Sequence, residues 1–129
     1  TPRDEGPSLS TEVEAAAPGA ILNLADLRER LEDDAELIEI ILRKFHETQR
    51  GLVADLKVAV EARDRDRIEL LAHTLKGSAA TASAERLQAA AWTLEQAARS
   101  NDLAEVDAQF ERIEDESRQV QAMLERAST

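Results

Sequence analysis

The chain has 129 residues, 43% hydrophobic and 33% charged, which suits one packed core and leaves little room for a second domain. Sixteen basic against twenty-seven acidic residues give a formal charge of −11, which disfavours nucleic-acid backbones and anionic membrane surfaces as partners. With no cysteine there is no disulfide, thiol nucleophile or Cys-ligated zinc, and the composition fits a reducing compartment.

All three prolines (Pro2, Pro7, Pro18) fall in the first eighteen residues, beside Gly6 and Gly19. Residues 1–20 therefore read as a disordered leader or linker end, and 21–129 as the folded domain. Beyond Gly19 there is no proline and only Gly51 and Gly77, too little turn chemistry for a β protein. Asn23 precedes a short amphipathic stretch, Leu24 to Leu31. Asp33 with Glu36 reads as a capping box that opens a long helix to about Ala62, with Gly51 as a bend point. Arg63-Asp64-Arg65-Asp66 breaks the pattern, and Asp64 or Asp66 caps a helix over about 65–80. Ser83 is the expected cap of the next helix, to about Arg99, whose inner face carries Leu87, Ala90, Ala91, Leu94 and Ala98. Asp102 with Glu105 opens the last helix, where Leu103, Val106, Phe110, Ile113, Ser117, Val120 and Leu124 form one seam. The predicted fold is all-α, an antiparallel up-down four-helix bundle with a short extra N-terminal helix. No apolar run approaches the roughly 20 residues that span a bilayer.

Residues 68–80 carry the chemistry. On a helical wheel Ile68, Leu71, Ala72, Leu75 and Ala79 share the core side, and His73 falls roughly 140° from Ile68, facing outward. Around it lie Glu69, Leu70, Lys76, Gly77 and Ala80. A mid-helix glycine costs about 0.5–1 kcal/mol relative to alanine, and here it clears the approach to an imidazole. The exposed Leu70 adds apolar surface beside it. A neutral imidazole held by one nitrogen can attack phosphorus with the other, and Lys76 can offset phosphoryl charge. Glu95 is the first candidate for the orienting acceptor and Gln96 the second.

Ala72-His73-Thr74-Leu75-Lys76-Gly77-Ser78-Ala79 resembles the signature of histidine-containing phosphotransfer (HPt) domains of multistep phosphorelays. The resemblance extends over about 24–126, through Leu94-Glu95 and Asn101-Asp102. It implies a four-helix bundle in which His73 takes a phosphoryl group from an aspartate of one receiver domain and passes it to another. In that family the position of Lys76 assists, Gly77 leaves room for the receiver, and magnesium belongs to the receiver rather than to this chain. The family often has glycines just after the signature, where this chain has Ala80 and Ser83.

The expected protein is thus a phosphocarrier without an ATP site, cytoplasmic and monomeric, docking receivers through Leu70, Gly77 and Ala80. Its setting is the C-terminal domain of a hybrid sensor kinase or a free-standing carrier. The alternative is a helical interaction module that binds or inhibits a kinase or receiver without being phosphorylated. Metal chemistry has little support. Di-iron bundles need Glu-x-x-His on facing helices, whereas His73 has Glu69 at i−4 and His46 has Arg43 at i−3. His46 reads as a helix-face histidine without a chemical role, Trp92 as packing at a helix–helix edge, and Glu32-Asp33-Asp34 and Glu114-Asp115-Glu116 as solvated faces and caps.

Overall fold

The computed structural model describes residues 19–128, so the leader expected over 1–20 lies almost wholly outside the described residues. Helices begin where a short polar side chain can accept from an unpaired backbone N–H of the first turn. Asn23 opens α1 (Leu24–Arg30), accepting from Asp26 N at 3.0 Å. Asp34 opens α2 (Ala35–Glu61), accepting from Leu37 N at 3.1 Å. Asp64, rather than Asp66, opens α3 (Arg65–Thr81) through Arg67 N at 3.3 Å. Asp102 accepts from Glu105 N at 3.2 Å at the head of α5 (Leu103–Ser128). Among the described residues there is no strand, and α2 runs through Gly51 without interruption.

Two expected caps are corrected. Asp33 sits at φ 60°, in the turn itself, so the capping role passes to Asp34. Ser83 does not cap α4 (Glu85–Arg99) either: its φ is 58° and it is buried, and its hydroxyl donates to Asp26 at 2.8 Å and accepts from Arg30 at 2.6 Å. The head of α4 is served by chain assigned to the leader. Ala20 O accepts from Arg86 N at 3.1 Å, while the Glu85 carboxylate accepts from Ala20 N at 2.9 Å and from Asn23 Nδ2 at 2.8 Å. Gly19, at φ 95°, is required there, because a Cβ would stand 2.8 Å from that of Glu85.

The three turns between the long helices repeat one geometry. Arg63, Ser83 and Asn101 take φ of 56°, 58° and 57°, and the next residue donates to a carbonyl five back: Asp64 to Ala59, Ala84 to Ala79, Asp102 to Ala97. This is the left-handed helix termination usually made with glycine. Ser83 occupies such a position just past the signature, where its bonds to Asp26 and Arg30 help hold a conformation that disfavours side chains.

Side-chain hydrogen bonds tie the helices together, and those between α3 and α4 show the two running in opposite directions. The head of α3 meets the end of α4 (Arg65 Nε to Ala98 O, 2.9 Å), and the middles of α2 and α5 are joined by Ser117 donating to Gln49. Each long helix packs on its sequence neighbours, and α2 closes the bundle on α5. The core holds Phe45, Leu56, Ile68, Leu75, Leu87, Leu94, Val106, Ile113 and Val120. The α3–α4 interface is the most extensive, and the alanines buried along both helices permit that close approach. The α5 seam follows its predicted spacing except at Leu103, which is exposed at the end. Trp92 departs from its expected packing role, with 53% of its surface open to solvent. Glu116 departs from the solvated-face reading: it is buried and bonded to Arg86 at 3.0 Å.

Candidate functional site

The third turn of α3 brings His73 to the rim of the α3–α4 interface, because its core side is already taken by Leu71, Ala72 and Leu75. The imidazole side chain is 63% exposed, yet its Nδ1 lies 3.0 Å from Glu95 Oε2 on α4. Glu95 itself is almost fully buried. Lys76 Nζ donates to Glu95 Oε1 at 2.8 Å, and Arg99 donates to Oε2 at 3.2 Å. Arg99 also reaches back to α3, its Nε donating to Glu69 Oε2 at 2.9 Å.

Burial pushes the Glu95 carboxyl up, but the hydrogen bonds from Lys76 and His73 outweigh it, so its pKa falls below the ordinary glutamate value. Glu95 is therefore a carboxylate at neutral pH, able only to accept. Nδ1 of His73 must then be the protonated nitrogen, and the lone pair is left on Nε2, the nitrogen not engaged by Glu95. The arrangement supplies a nucleophile in the open with its orienting base buried behind it.

The other predicted site residues lie around this pair. Leu70 is 61% exposed, and Gly77 and Ala80 are exposed on the same helix. A Cβ on Gly77 would meet nothing within 4 Å, so the approach is open. Gln96, the second candidate for orienting the ring, is half-buried and the bond goes to Glu95 instead. Lys76, expected to face a phosphoryl group, is engaged on Glu95 here. A recess of about 250 Å³ between α2 and α3, lined among others by Ile40, Phe45, Ser78 and Thr81, extends the surface beyond Gly77. Arg99 was not among the predicted site residues, although its i+4 spacing from Glu95 was visible. Among the described residues no group of three or more His, Asp or Glu side chains could hold a metal ion.

Comparison with known proteins bears on the family and the fold. Residues 40–129 match the Hpt domain. The chain is also similar to the crystal structure of histidine-containing phosphotransfer protein B (HptB) from Pseudomonas aeruginosa PAO1, with 26% identity and a TM-score of 0.72. That match covers 83% of this chain and 93% of the other. No curated protein matches closely enough to count as a relative. The chain belongs to the Hpt domain family, the phosphotransfer carriers of phosphorelays. No helix among the described residues is long and apolar enough to cross a membrane.

Proposed function

We propose that His73 is the phosphoacceptor, receiving the group from an aspartyl phosphate of one receiver domain and delivering it to the aspartate of another. Nε2 attacks phosphorus in line, the N–P bond forms as the acyl-phosphate P–O bond breaks, and the aspartate leaves as carboxylate. The proton on Nδ1 stays where it is. Attack makes the ring cationic, and the Glu95 carboxylate 3.0 Å away opposes that charge as it develops. Lys76 supplies positive charge for the phosphoryl oxygens. Return of the group reverses these events, and the magnesium it requires belongs to the receiver.

The observation that carries this reading is an exposed imidazole bonded through Nδ1 to a buried carboxylate. Leu70, Gly77 and Ala80 form the proposed docking face, where a flat, open apolar surface suits a transient partner. The domain works in the cytoplasm as a monomer, within a hybrid sensor kinase or beside one, and residues 21–129 form the unit that carries the site. The test is incubation with a phosphorylated receiver domain and magnesium, read as acid-labile, base-stable phosphate on this chain. Wild type is expected to take up the label and His73→Ala none. Labelling of His73→Ala, or no labelling of wild type by any cognate receiver, would favour an interaction module without phosphotransfer.

A further inference from the structure

Glu95 receives more donors than an orienting carboxylate needs. Oε2 accepts from His73 and from Arg99, while Oε1 accepts from Lys76. The two cations differ in how they are held. Arg99 is a planar fork gripped on its far side by Glu69 at 2.9 Å, so it spans two carboxylates, one on each helix. Glu69 and His73 are one turn apart on α3, and Glu95 and Arg99 one turn apart on α4, so the contacts run in an unbroken chain from Glu69 through Arg99 and Glu95 to His73 across the interface. Among the described residues Lys76 has no such second grip: it is a point charge on a flexible stem, one turn beyond His73.

We propose that Arg99 is a positioning residue, which fixes the Glu95 carboxylate so that Lys76 can leave it for the phosphoryl group arriving on His73. This rests on His73 being the phosphoacceptor. In the state described, Lys76 is committed to Glu95, and the two carboxylates Glu69 and Glu95 face the two cations Lys76 and Arg99. A phosphoryl group adds about two negative charges and draws on the nearest mobile cation. If Lys76 were the only cation on Glu95, its departure would strand a buried carboxylate, which is strongly unfavourable. Arg99 stays behind on Oε2 and removes that barrier. The same bond keeps Oε2 facing Nδ1, and with it the ring tautomer.

The test uses the full chain and phosphoramidate as donor, so that no receiver is needed; the donor's P–N bond breaks, ammonia leaves, and the N–P bond to Nε2 forms. Two readouts are taken on wild type, Arg99→Met, Arg99→Lys, Lys76→Met and the double variant: ¹⁵N shifts of the unphosphorylated His73 ring, and the rate of phosphohistidine formation followed by ³¹P NMR. Arg99→Met is expected to mix the ring tautomers and slow formation by about tenfold, with partial recovery in Arg99→Lys. The double variant should be hardly slower than Arg99→Met alone, because without Arg99 the lysine is already held back on Glu95. An unchanged tautomer in Arg99→Met, or rate losses that multiply in the double variant, would overturn the proposal. Failure of wild type to form any phosphohistidine would overturn the phosphoacceptor reading, while the tautomer shifts would still report whether Arg99 positions the ring.

Discussion

The two histidines of this chain form an internal control. His73 is mostly exposed, and its Nδ1 is engaged by a buried carboxylate that accepts three donors. His46, on α2, is half-buried, and its Nδ1 is sealed from solvent with no hydrogen-bond partner among the described residues. It lines a groove of about 330 Å³ with Ile38, Leu42 and Leu124, and none of the residues clustered around His73 lines that groove. Both are helical imidazoles in one small bundle. The environment separates them: one ring has its proton assigned and its lone pair presented to solvent, whereas nothing in the structure assigns the proton of the other.

The largest expected effect that sharpens this contrast is at Gly77. Gly77→Leu should abolish receiver-dependent phosphorylation of His73 while raising helix stability by about 0.5–1 kcal/mol, since the added side chain points into open space. Transfer assays paired with thermal melts check both halves, and normal transfer would break the access argument.

Next is Glu95→Gln, expected to slow transfer roughly 10- to 100-fold by removing the charge behind Nδ1. The same variant has a pH signature. Because the folded pKa of Glu95 is lowered, its contribution to stability is complete above the ordinary glutamate value and is lost as pH falls through the lowered folded value. Urea melts along a pH series should show wild type losing more stability than Glu95→Gln across that acid window, and parallel curves would show that the carboxylate is not held as described.

The smallest effect is expected at His46. His46→Leu removes a sealed, unpartnered nitrogen from an apolar groove and should leave phosphotransfer at the wild-type rate while stabilising the fold by about 1 kcal/mol. Loss of transfer in this variant would place His46 in the mechanism and end its use as a control.

How far the sequence could be read follows from how local each signal is. A cap is settled within three residues, so Asn23, Asp64 and Asp102 were legible, while Asp33 and Asp34 differ only in which of them the turn uses up. Ser83 and the pair Gly19-Ala20 were misplaced because their partners, Asp26, Arg30, Glu85 and Arg86, lie 53 to 66 residues away along the chain. Turns with a left-handed Arg63, Ser83 and Asn101 carry no glycine to announce them.

That the chain is helical, where most helices start, and that His73 faces out beside Lys76 and Gly77 could all be read from the residue order, because helical periodicity fixes the angular position of every side chain about its own axis. Packing in three dimensions settles that Glu95 and not Gln96 meets the ring, that Arg99 and Glu69 extend the network, and that Trp92 is more than half exposed. Those outcomes depend on the rotation and vertical register of α4 against α3. Both are set by how the alanine-rich faces of the two helices interlock, a relation between segments that no periodicity within either one contains.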